Sequence, residues 1–158
     1  MENSELIVRQ PGQGDTFSVV GDLYRMLAEA PQTAGRFFLC HATVPPGGGP
    51  PPHLHHHENE AFYVLKGEIT FYALDQNKVV KGGPGAFIHL PQGKPHRFAN
   101  ESGEVAEMLI WTTPGTLGNM FRQAGTPSPV AIPVGPDDIA KLVALAPQFG
   151  LEILKPPE

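Results

Sequence analysis

The sequence predicts an all-β fold, a sandwich or barrel of short strands followed by a short helical tail. Runs rich in Val, Ile, Leu, Phe, Tyr and Thr recur at roughly 8–12-residue spacing with turn residues between them, as in those two architectures. The 18 glycines and 18 prolines exceed a fifth of the 158 residues. They lie between apolar runs and so read as turns, not as low-complexity sequence. Convincing helical spacing comes only after Pro114.

Taken in order, Phe17 to Val20 and Leu23 to Leu27 read as strands around a Gly21-Asp22 turn, although Leu23, Met26 and Leu27 also have helical spacing. Arg36 to Val44 is a firmer strand with no breaker. Pro45 to Pro52, PPGGGPPP, looks like a linker, but the 44 residues before it are too few for an ordinary core. It therefore reads as a stiff loop. Ala61 to Tyr72 holds two strands broken at Lys66-Gly67-Glu68, and Val79-Val80 is a fragment. Gly85 to Leu90, His96 to Ala99 and Ala106 to Thr112 are further strands. Several are apolar on both faces, so the outer faces need cover from a second sheet, the tail or a second subunit. A homodimer is the expectation.

Beyond Pro114, Gly115 to Gln123 places Leu117, Met120 and Phe121 on one side of a short helix, expected to pack against the outer sheet, with a lid over the barrel mouth as the alternative. Asp137 and Asp138 open a second helix to about Leu145, with Ile139, Leu142 and Val143 on one face. The chain reads as one domain, residues 1–158, with its core at 36–113 and its tail from about 114.

The net charge is −5, from 11 basic and 16 acidic residues, and no lysine or arginine cluster is present to neutralise a phosphate backbone. Nucleic acid is thereby disfavoured as a partner. The single cysteine, Cys40, excludes an intrachain disulfide and fits a reducing compartment. The acidic N-terminus leads into no apolar leader, and no run approaches the ~18 apolar residues that span a bilayer. The expected location is the cytoplasm.

The chemistry gathers in two stretches. In the first, His53 and His55 are two apart, so in extended chain both imidazoles share a face. Glu60 opens the next apolar strand in the parity of Phe62 and Val64, where a buried carboxylate needs a cation or strong hydrogen bonds. In the second, His96 begins a strand just after a proline-glycine turn, and in a closed barrel that strand can lie beside the one carrying Glu60. Four such ligands suit one divalent transition metal, Fe, Mn, Ni, Co or Zn, and not calcium or Cu(I). Glu58 competes with Glu60 as the carboxylate ligand but lacks its place at the start of the strand. Phe62 and Phe98 share the parity of neighbouring ligands and are candidates to line a substrate pocket; ordinary core is the equal alternative. His56 and His57 read as loop residues, His89 as outward and His41 as a core histidine.

These two stretches resemble the paired motifs of the cupin superfamily. The first is glycine, five residues, His-x-His, four residues, glutamate, six residues, glycine, here Gly47, His53, His55, Glu60 and Gly67. The second is glycine, five residues, Pro-x-Gly, two residues, histidine, three residues, asparagine, here Gly85, Pro91, Gly93, His96 and Asn100. The resemblance implies a double-stranded β-helix, or jelly-roll, barrel with a metal on His53, His55, Glu60 and His96. EAFYVLKGE, HLPQGKPHRFAN and the closing GLEIL are similar to small bacterial cupins of the quercetin 2,3-dioxygenase type. That likeness implies a dioxygenase acting on a small flavonol-like, aromatic or enolic substrate, with Glu60 accepting the substrate's hydroxyl proton. A decarboxylase or isomerase, and a non-catalytic small-molecule binding barrel, are the alternatives; Arg36 and Arg97 are the obvious groups for holding an anionic substrate.

Overall fold

The computed structural model describes residues 5–155. β1 (Thr16–Val19) and β2 (Asp22–Ala28) form a hairpin, and β3 (Phe38–Val44) follows a 3-10 turn at Ala30–Gln32. The PPGGGPPP loop then leads into β4 (His53–His55), β5 (Asn59–Lys66) and β6 (Ile69–Ala73). β7 (Lys78–Gly82), β8 (Phe87–Leu90), β9 (His96–Ala99) and β10 (Ala106–Thr113) complete the run. The tail contains α1 (Leu117–Ala124), β11 (Thr126–Pro127), α2 (Asp138–Leu145) and β12 (Leu151–Ile153). No helix among the described residues is long and apolar enough to cross a membrane.

The strands make two antiparallel sheets in a jelly-roll arrangement, one ordered β11-β1-β2-β3-β10-β5-β8 and the other β12-β4-β9-β6-β7. The core lies between them. Alternation sets it up: β2 buries Asp22, Tyr24, Met26 and Ala28, and β3 buries Phe38, Cys40, Ala42 and Val44. The alternation makes β2 a strand, where the sequence also allowed a helical turn. At the β5–β6 turn Gly67 has φ +71, and a Cβ there would lie 2.9 Å from the Ala106 backbone, so glycine is required by both strain and space.

The structure corrects two expectations. The sheets are not joined edge to edge by hydrogen bonds, so the closed barrel is an open two-sheet sandwich. Strands of three to eight residues around the site are cut by Gly and Pro turns, and the chain changes sheet at 67–68. In consequence β9 lies beside β4 and β6, not beside the strand that carries Glu60. The tail also departs from expectation. Leu117, Met120 and Phe121 turn inward and roof one end of the sandwich instead of packing on the outer sheet. Arg122 on the other face of α1 fixes it, with hydrogen bonds of 2.6 and 2.8 Å to Glu29 and 2.8 Å to Asp15.

Candidate metal centre

His53 and His96 are direct cross-strand partners on β4 and β9. His55 follows two residues along β4 on the same inward face, as the alternating burial of that strand shows. Glu60 comes across the sandwich from β5. One donor atom from each of the four residues falls within 4.8 Å of all the others, and all four are buried. Their convergence suggests a metal site.

Hydrogen bonds at the far side of the rings orient the donors. His53 Nδ1 lies 2.8 Å from the Pro51 carbonyl oxygen and His96 Nδ1 lies 3.0 Å from that of Lys94. A ring that donates from Nδ1 presents Nε2 as a lone pair, which is the form a metal takes. Inside the cluster, His55 Nε2 approaches Glu60 Oε2 to 2.9 Å and His96 Nε2 approaches Glu60 Oε1 to 3.8 Å. Even so, His55 Nε2, Glu60 Oε2 and His96 Nε2 are not aligned for a hydrogen bond with any partner. Buried polar atoms without partners are costly. A cation among them satisfies all three at once, so the residues fit a divalent transition metal with nitrogen and oxygen donors.

The electrostatics agree. Burial lowers the His53 pKa to about 3, aided by His96 and His55, so this ring is neutral. His96 is lowered by burial more than Glu60 raises it. Burial alone would raise Glu60, but His55, His96 and His53 bring it down to about 2. Burial lowers His55 too, yet the adjoining Glu60 raises it on balance. The ionised Glu60 thus demands a positive charge beside it, which a bound cation supplies better than a proton on His55.

Glu58 is not part of this cluster. It is 2% exposed, but it lies on the other side of His55, with Oε1 4.0 Å from Nδ1 and accepting a hydrogen bond of 2.5 Å from Thr116 Oγ1. His56 and His57 are exposed, and His56 pairs with Glu152 at 3.0 Å. His89 is exposed, whereas His41, expected in the core, faces outward and pairs with Glu107 at 3.3 Å. Asn100 is buried and donates to the carbonyls of Val44 and Glu104.

Residues 40–112, which include all four clustered side chains, match the cupin domain family. That match spans just under half of the chain. The chain is 29% identical over 120 residues to a quercetin 2,3-dioxygenase of Bacillus subtilis (strain 168), covering 76% of this chain and 35% of that protein. The chain therefore spans about a third of that relative's length. Among solved structures it is similar to the polyketide cyclase RemF from Streptomyces resistomycificus, with TM-score 0.60, 26% identity and coverage of 91% and 96% of the two chains. A predicted oxalate decarboxylase from Thermotoga maritima has TM-score 0.60 at 22% identity, covering 69% of this chain and 99% of that one, a likeness of fold.

His53, His55 and Glu60 of the cluster open onto a cavity of about 40 Å³, walled by Val19, Phe98, Ile110, Leu117, Met120 and Phe121 among others. That is room for a few waters. Phe98 lines the cavity. Phe62 does not; it lies in the core with its ring 5.7 Å from that of Phe98, because strand parity chooses a face but not a depth. Neither Arg36 nor Arg97 is among the lining residues, and Arg97 lies 3.9 Å over the Tyr72 ring. Asp22, Tyr24, Leu142 and Leu151 do line the cavity, and the sequence reading missed them. The sequence does carry a signal for Asp22, which begins the alternation that buries Tyr24 and Met26, but its place beside Gly21 reads equally as a turn.

Proposed function

We propose that this cupin domain is a metal-dependent enzyme acting on a small hydroxylated aromatic or enolic molecule, and that the reaction is dioxygenation. The observation that carries this reading is the convergence of His53, His55, Glu60 and His96, the first three of them on the wall of an apolar cavity with no lysine or arginine among its described lining residues. A divalent transition metal on these residues would supply Lewis acidity and, with iron, manganese or nickel, redox chemistry with dioxygen. The chain's own residues do the rest. His53, His55, His96 and Glu60 would hold the metal, and a substrate hydroxyl would reach it from the cavity. Glu60 stays ionised at neutral pH and is the acceptor nearest that hydroxyl's proton, provided the hydroxyl is acidified in the same site. The apolar walls hold the ring and exclude water. The likeness to the Bacillus subtilis quercetin 2,3-dioxygenase supports this choice.

A second reading, ring closure of a hydroxylated polyketide, is favoured by the near full-length match to RemF. Decarboxylation or isomerisation of small anions is disfavoured, because no cation among the lining residues would hold a carboxylate or phosphate. Oxygen uptake separates the readings. Protein reconstituted with Fe, Mn, Co, Ni or Zn is given quercetin; uptake with at least one metal is expected. Its absence with all five contradicts dioxygenation and leaves cyclisation or ligand binding without turnover.

The working form is a homodimer in the cytoplasm. Phe87, Trp111 and Tyr63 are 67%, 47% and 45% exposed around one apolar groove on the outer face of the larger sheet. A second copy would cover it. The buried, reduced Cys40 fits the compartment.

A further inference from the structure

Besides Glu60, Asp22 is the acidic residue that lines the cavity. It is 1% exposed. Tyr24 Oη donates to Asp22 Oδ2 at 3.3 Å, and the Gly49 backbone amide faces the carboxyl. Oδ1 has no hydrogen-bond partner. A side chain at Gly48 would collide with that oxygen, so the glycine loop leaves space for it. Oδ1 lies against the Gly48 turn of that loop without a hydrogen-bond partner, and Asp22 is on the wall of the cavity, where an unpaired buried acceptor costs stability until a donor arrives.

We propose that Asp22 is a second polar anchor of the cavity, accepting a hydrogen bond from a ligand hydroxyl while another polar group of the same ligand meets the four-residue cluster. The inference rests on the reading of the site as one for hydroxylated aromatic or enolic molecules, and it narrows that class. The ligand carries at least two separated hydroxyls on an apolar body, because Val19, Ile110, Leu117 and Phe121 offer nothing polar between the two anchors. Tyr24 is a positioning residue here: its hydroxyl holds Oδ2 and so keeps Oδ1 turned away from it.

The test uses protein loaded with Zn(II), which performs no redox chemistry. Quercetin, with hydroxyls on both ring systems, is titrated against 3-hydroxyflavone, which keeps only the hydroxyl beside the carbonyl. Wild type is expected to prefer quercetin by about tenfold or more, the worth of a hydrogen bond to a charged or buried acceptor. Asp22→Leu and Asp22→Ala are expected to erase that preference at unchanged zinc content; either folded variant suffices. A preference that survives in the folded variant overturns the anchor and leaves the metal site standing. Loss of zinc from that variant also overturns it, since Asp22 would then serve the cluster. If neither flavonol binds zinc-loaded wild type, the anchor and the substrate class fail together.

Discussion

Glu58 Oε1 stands 4.0 Å from His55 Nδ1, with both side chains almost wholly buried. His53 and His96 have backbone carbonyls at their Nδ1 atoms, but Glu58 is the acceptor that faces the third ring. Its other contact, from Thr116 at the start of α1, ties the roof of the cavity to the same ring. Partners behind a metal-binding histidine are worth roughly 10–100-fold in affinity. At 4.0 Å Glu58 acts on this ring through its charge, so Glu58→Leu is expected to weaken metal binding severalfold, toward the lower end of that range, with the four clustered residues intact. A competition titration against a chelator measures it; an unchanged affinity contradicts the role.

Asp22 gives the metal-free protein a distinctive pH response. Burial pushes its carboxyl up to about 7 from 3.8, with Tyr24 and the Gly49 amide only partly offsetting this. The folded chain then holds a proton that the unfolded chain releases at lower pH, so this group's contribution is full below about pH 4 and is lost as pH rises through 7. Asp22→Asn keeps the shape without the titration. Tyr24, His53, His55 and Glu60 share the cavity and are common to both proteins, so their effects largely cancel in the difference. Urea melts are expected to show wild type losing stability relative to the variant between pH 4 and 7, by on the order of 4 kcal/mol in full. Parallel curves would rule this out.

Phe121 stacks on Tyr24 with ring centroids 4.2 Å apart and meets Phe38 edge-on at 5.9 Å. Removing the ring opens the roof of a cavity that is too small for an aromatic ligand as it stands. Phe121→Ala is expected to cost about 3–5 kcal/mol and to speed removal of the bound ion by a chelator. Denaturant melts and stopped-flow metal release measure the two effects. Unaltered release at reduced stability would mean that the roof does not govern access.

The exposed Phe87 and Trp111 lie on one groove. Light scattering of wild type at micromolar concentration is expected to give about twice the chain's 17.0 kDa, and Trp111→Glu with Phe87→Glu the single-chain mass. A wild-type mass of one chain contradicts the dimer.

The inward residues of β3 and β10 were legible because period-2 alternation and burial are the same fact seen twice. The convergence of His53, His55, Glu60 and His96 was legible from spacing and parity within single strands. Their route to one point was not: it depends on β9 joining β4 while Glu60 crosses from the other sheet, and pairing between distant strands leaves no local trace. β12, three residues long, was hidden for a related reason, since its identity comes from pairing with β4. The inward turn of Met120 and Phe121 was misjudged because an amphipathic helix announces which side is apolar, not what that side meets.

The proposed chemistry stands on one ion held by His53, His55, Glu60 and His96. Elemental analysis of purified wild type, His53→Ala and His96→Ala tests this. One transition-metal ion per chain is expected in wild type and none in either variant. Full occupancy in a variant, or a wild type that takes up no metal on reconstitution, would contradict it.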